Sequence, residues 1–76
     1  MPKAYVLISA ELGAEENLVR KLRSSPNVKE AHFVYGVYDV VAIIEAPTME
    51  ELKQTVALKI RALPEVKSTL TMMVIE

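Results

Sequence analysis

Lys21-Leu22-Arg23-Ser24-Ser25-Pro26-Asn27-Val28-Lys29 returns 38 residues later as Lys59-Ile60-Arg61-Ala62-Leu63-Pro64-Glu65-Val66-Lys67. The shared pattern K-[LI]-R-x-x-P-x-V-K thus recurs at half the length of a 76-residue chain. A fixed internal period means that one supersecondary unit is used twice. Each copy reads as the end of an amphipathic helix, a proline stop, then entry into a strand. No other feature constrains the fold as tightly.

The flanking residues complete the unit. Tyr5 to Ser9 is a β-rich run. Gly13 leads into Ala14 to Arg23, where Leu18, Val19 and Leu22 share one helical face. Pro26 and Asn27 break that helix, and Val28 to Tyr35 reads as a strand. After Gly36-Val37-Tyr38-Asp39, Val40 to Glu45 is a third strand. Thr48-Met49-Glu50-Glu51 has the form of a capping box, in which the Thr48 hydroxyl and the Glu51 carboxylate serve the first backbone N–H groups. Leu52, Val56, Ile60 and Leu63 form the stripe of a second helix, Pro64 ends it, and Val66 to Ile75 is the last strand.

The predicted fold is therefore α+β, a ferredoxin-like βαββαβ sandwich with a four-stranded antiparallel sheet and both helices on one face. One sheet face is left uncovered. Such a face should alternate apolar with polar residues, yet Tyr5 to Ile8 and Val40 to Ile44 are apolar at both parities. The expectation is that a second copy covers this face, dimerising as an α/β barrel. A 51% hydrophobic content in so short a chain points the same way.

Composition narrows the function. Nine Lys plus Arg against ten Asp plus Glu give a net charge of −1, which lacks the basic excess expected of a nucleic-acid binder. There is no cysteine, so no disulfide and no thiolate metal site is available. No apolar run reaches the roughly 20 residues that span a bilayer, and no signal peptide is evident, so a cytoplasmic protein is expected. The chain reads as a single domain, 1–76.

Catalytic readings find little support. The lone His32 lies mid-strand with no partner at a motif spacing, and reads as a half-exposed or hydrogen-bonded strand residue. Glu15-Glu16 and Glu50-Glu51 open helices, where carboxylates complement the dipole. Gly13 and Gly36 stand alone, so there is no phosphate loop. No metal, cofactor or enzymatic activity is expected.

Two groups of polar residues on apolar strands remain. Tyr38-Asp39 lies at the central hairpin, and Ser68-Thr69-Leu70-Thr71 in the last strand. Thr69 and Thr71 share a face, with Ser68 on the other. A carboxylate suits an ammonium group, while hydroxyls and unpaired turn N–H groups suit a carboxylate. Threonine is also simply a good strand residue, and G-x-x-D an ordinary turn.

The stretch from His32 to Glu76, with G-x-Y-D before an apolar strand and P-x-V-x-x-T-x-T before an apolar end, resembles the C-terminal effector domain of Lrp/AsnC-type transcriptional regulators. This module is also called RAM, for regulation of amino acid metabolism. The first half fits more loosely, and the whole chain is covered. The resemblance implies a dimer formed by sheet packing, rings of dimers such as octamers or decamers, and an amino-acid effector bound between dimers. Carried over by position, Gly36, Tyr38 and Asp39 would frame one side of the ligand site and Thr69 and Thr71 the other, with Val37 and Ser68 adjacent. Asp39 would hold the effector's ammonium group. Val37 stands where polar residues are common in the family, and Glu65 where glycine is usual. The chain has no room for the helix-turn-helix of full-length regulators, so specific DNA binding by itself is not expected, while co-assembly with such regulators is. A ligand-free assembly or adaptor module is the alternative, and a small dimeric α/β-barrel enzyme comes third.

Overall fold

The computed structural model describes residues 1–75. The strands are β1 (Lys3–Ala10), β2 (Val28–Phe33), β3 (Val40–Glu45) and β4 (Val66–Met73). Helix α1 spans Glu15–Arg23, and α2 spans Met49–Gln54, continuing as a π-helical segment over Thr55–Ile60. The antiparallel sheet has the order β2-β3-β1-β4, and the expected ferredoxin-like topology is what forms.

Strand alternation positions the core. Ala4, Val6, Ile8 and Ala10 of β1 and Val40, Ala42 and Ile44 of β3 are buried beneath the helices. From above, Leu18, Val19 and Leu22 of α1 meet Leu52, Val56 and Ile60 of the second helix in the same cluster. The opposite face carries Tyr5, Leu7, Val41 and Ile43, all only half-buried. Leu70 and Met72, paired with Leu7 and Tyr5, extend this apolar surface with 46% and 47% exposure. The second apolar parity is therefore an uncovered sheet face, as the sequence predicts.

Three local expectations need correction. Strand β2 ends at Phe33 and β4 at Met73, each two residues early, leaving Tyr35 and Ile75 fully exposed. The capping box is half-formed: the Thr48 hydroxyl accepts from the Glu51 N–H at 3.1 Å, but the Glu51 carboxylate accepts from the Asn27 side-chain amide instead. The second helix widens after Gln54, closing with an Arg61 N–H to Val56 C=O bond of 3.0 Å. Leu52, Val56 and Ile60 are spaced strictly by four, ahead of a 3.6-residue turn. A wider turn brings such a stripe back into line with the core.

Candidate functional site

Asp39 is held at the start of β3 by three bonds. Its N–H donates to Ile8 C=O (2.9 Å), its carbonyl accepts from Val34 N–H (2.8 Å), and its carboxylate Oδ2 accepts from Ala10 N–H (3.0 Å). The carboxylate thus receives a backbone N–H at the end of β1 and locks the β2–β3 hairpin against that strand. Gly36 turns the hairpin with φ +152°, a conformation in which an L side chain is strained. Val37 is almost fully exposed at the tip, and Tyr38 is half-buried.

Ser68, Thr69 and Thr71 lie on β4, at the same end of the sheet. Register separates them: Thr69 pairs with Ile8 and Thr71 with Val6, which puts both on the helix side. Ser68 pairs with Ser9 and lies on the open side. Strand β1 runs between Asp39 and β4, so the two groups flank its C-terminal end roughly 10 Å apart, two strand spacings. Within one chain they sit side by side without enclosing a ligand.

The surroundings of β4 add residues that the sequence reading did not single out. A cavity of about 330 Å³ is lined by Arg61, Val66, Lys67, Ser68 and Thr69. Arg61 also lines a neighbouring cavity of about 320 Å³, with Lys53, Val56, Ala57 and Thr71 among its walls. Arg61 and Lys67 belong to the second copy of the repeat, and that repeat was the available signal.

Glu65 is the most constrained ionisable group here. Its side chain is nine-tenths buried, and Oε2 meets Lys21 Nζ at 2.7 Å and the Asn17 amide at 3.0 Å. The Lys21 hydrogen bond, ahead of the residue's own backbone N–H, holds the carboxyl below its usual range against the opposing effect of burial. The second carboxylate oxygen, Oε1, is buried with no hydrogen-bond partner among the described residues. Glu65 is thus a strut between α1 and β4, a larger role than the turn position it holds in sequence. His32 is half-exposed, with Nε2 2.8 Å from Glu30, in keeping with the structural reading. Among the described residues no cluster could hold a metal, and no helix is long and apolar enough to cross a membrane.

The model of the Lrp/AsnC ligand binding domain matches residues 3–76. The chain belongs to the Lrp/AsnC ligand-binding domain family. FFRP-DM1 is similar over its entire length, at 40% identity, 99% coverage of this chain and a TM-score of 0.95. The hypothetical protein PHS023 from Pyrococcus horikoshii is 39% identical over 100% of this chain and 92% of its own, with a TM-score of 0.94. The fold also recurs in a longer protein, the transcriptional regulator NMB0573 from Neisseria meningitidis, solved as an L-Met complex. That match covers 99% of this chain and 50% of the regulator at 17% identity, TM-score 0.87, and shows the fold alone. No curated protein matches by sequence.

Proposed function

We propose that this Lrp/AsnC ligand-binding domain is an amino-acid-binding oligomeric module. One observation carries the reading: the fold brings the Gly36–Asp39 hairpin and the Ser68–Thr71 segment to the same end of the sheet, on either side of the end of β1. Carboxylate and hydroxyl groups so arranged complement a zwitterion, and a neighbouring copy would close the flanking surfaces into a pocket. The L-Met complex of NMB0573 supports an amino acid as the ligand class.

The uncovered sheet face supports an obligate dimer. Tyr5, Leu7, Val41, Ile43, Leu70 and Met72 form an apolar surface that two copies would bury by facing their sheets about 10 Å apart. The dimers then stack into a ring such as an octamer or decamer, leaving the hairpins and β4 segments at contacts between dimers. The mode of action that goes with this reading is co-assembly with full-length regulators in the cytoplasm.

A second reading, a ligand-free assembly module, is favoured by a different fact. Asp39 already has a structural partner in Ala10 N–H, so its carboxylate needs no ligand to explain it. Calorimetric titration with the twenty amino acids separates the two. Heat of binding with at least one of them is expected, and silence at millimolar ligand would leave the assembly module standing.

A further inference from the structure

The two halves of the repeat place an arginine at the same point, Arg23 and Arg61, and then use it differently. Arg23 Nε donates to the carbonyl of Ala31 on β2 at 3.0 Å. Thr69 of β4 is the counterpart of Ala31. The correspondence holds along both outer strands, since each is interrupted by a bulge at the same lysine, Lys29 in one and Lys67 in the other. Arg61 nonetheless makes no side-chain hydrogen bond or ion pair among the described residues.

The cavities beside the two arginines correspond as well. Val19, Arg23 and Phe33 line the first, and their counterparts Ala57, Arg61 and Thr71 line the second. The first is the larger, about 430 against 320 Å³, and the two also differ in chemistry. The first contains its own carboxylate, Glu16, which pairs with Arg20 at 3.6 Å. The second holds Lys53 and no acid. In it the aromatic ring of Phe33 is replaced by the Thr71 hydroxyl, and Arg61 reaches on into the adjoining cavity with Lys67, Ser68 and Thr69. One half of the molecule satisfies its arginine internally. The other presents a guanidinium, two ammonium groups and the Thr69 and Thr71 hydroxyls, and no carboxylate is among the described residues that line its two cavities.

We infer that Arg61 is the anion-binding group of this chain, and that the adjoining cavities it lines, one with Thr69 and one with Thr71, take the carboxylate of a small ligand. A guanidinium pairs with a carboxylate through two parallel N–H bonds, and threonine hydroxyls add donors at the same oxygens. The closing bond of the π-helical segment fixes the Arg61 backbone, and the residue lines both cavities with residues of β4. The inference rests on the ligand-binding reading above and adds to it the residue that selects for an acid.

The test is a titration of the intact protein followed by backbone amide NMR shifts. Probes are the twenty amino acids, the corresponding amino-acid amides, and propionate as a plain carboxylate, each against the parent, Arg61→Met and Arg61→Lys. An amino acid is expected to shift the Thr69 and Thr71 amides. Its amide should bind about tenfold more weakly or worse, and so should the parent ligand to Arg61→Met, as loss of a charge-assisted pair predicts. Arg61→Lys should fall between. Unchanged thermal unfolding of both variants is expected, because the Arg61 side chain makes no hydrogen bond or ion pair among the described residues. Equal binding of acid and amide, or full affinity in Arg61→Met, would overturn the inference and leave amino-acid binding intact. Propionate shifting these amides through Arg61 while no amino acid binds would support the acid site and remove the amino-acid reading. No response to any carboxylate overturns both.

Discussion

Asn27 and Glu65 hold the same position in the two repeats, and each braces the helix of the opposite half. The Asn27 amide donates to the Thr55 hydroxyl at 3.0 Å, and Glu65 accepts from the Asn17 amide at 3.0 Å. Asn17 and Thr55 are themselves counterparts 38 residues apart. The backbone repeats the gesture. Asn27 C=O accepts from Glu45 N–H at the end of β3, and Glu65 C=O from Glu11 N–H just past β1. A sequence repeat has become a pseudo-twofold axis, with reciprocal struts that tie each helix to the other half's outer strand.

The Asn27 strut combines two causes of stability that substitution can separate. Asn27 has φ +70°, which asparagine and glycine tolerate and alanine does not. Asn27→Gly loses only the side-chain bonds, about 1–2 kcal/mol, while Asn27→Ala adds about 1–2 kcal/mol of backbone strain. Thermal unfolding should therefore rank parent, Gly variant, Ala variant, with steps of roughly 5 °C or more in a domain of this size.

Acid should weaken the other strut. The folded-state pKa of Glu65 lies below its usual value, chiefly through the Lys21 hydrogen bond. The native state therefore binds fewer protons than the unfolded chain as that carboxyl titrates. Its stabilisation is present above the ordinary carboxylate pKa and is lost as pH falls through the depressed one. Urea unfolding from neutral pH to pH about 3 should show the parent's advantage over Glu65→Gln shrinking across the acid range. In Lys21→Met that loss should move to higher pH. A pH-independent difference would count against the strut.

Asp39 carries a structural bond and a proposed ligand contact, and these respond to different variants. Asp39→Asn keeps an oxygen for Ala10 N–H, so the melting temperature should change little while amino-acid affinity drops. Asp39→Ala loses both, with about 1 kcal/mol of stability. Equal affinity in the Asn variant and the parent would assign Asp39 to the hairpin alone.

Leu70 projects from the open sheet face at 46% exposure, opposite Leu7. Leu70→Asp costs the isolated fold little but places a charge in the proposed sheet-to-sheet contact, where desolvation opposes it. Light scattering should find the parent as a dimer or a multiple of one and the variant shifted to monomer. A variant that keeps the parent's assembly would move the interface elsewhere.

Leu22 and Ile60 are repeat counterparts, and both are fully buried. Truncation of either to alanine should cost about 2–5 kcal/mol, most of the stability available to a domain this small. Circular dichroism should show partial or complete unfolding for both, of similar size if the halves share the core evenly.

Much of the fold can be read from local pattern. The doubled K-[LI]-R-x-x-P-x-V-K signature, the proline stops and the apolar stripes place every strand and helix within a few residues. The two-sided apolar strands mark β1 and β3 as the central pair with one face open. The π-helical segment escapes because its stripe, spaced by four, reads equally well as an α-helix. Of the candidate site, the Gly36–Asp39 turn and the β4 hydroxyls stand out by residue type. Arg61 does not, since its sequence context is the same as that of Arg23.

The elements, their order and the apolar face of each follow from periodicity within a few turns of chain and are legible without coordinates. What Asp39 binds, how Glu65 comes to be buried against Lys21, and that Arg61 lacks the carbonyl partner Arg23 has are settled by packing. Those outcomes join residues 29, 44 and 8 positions apart. They turn on strand register and on which side of β2 and β4 each side chain faces, and a sheet settles both only when its four strands have paired.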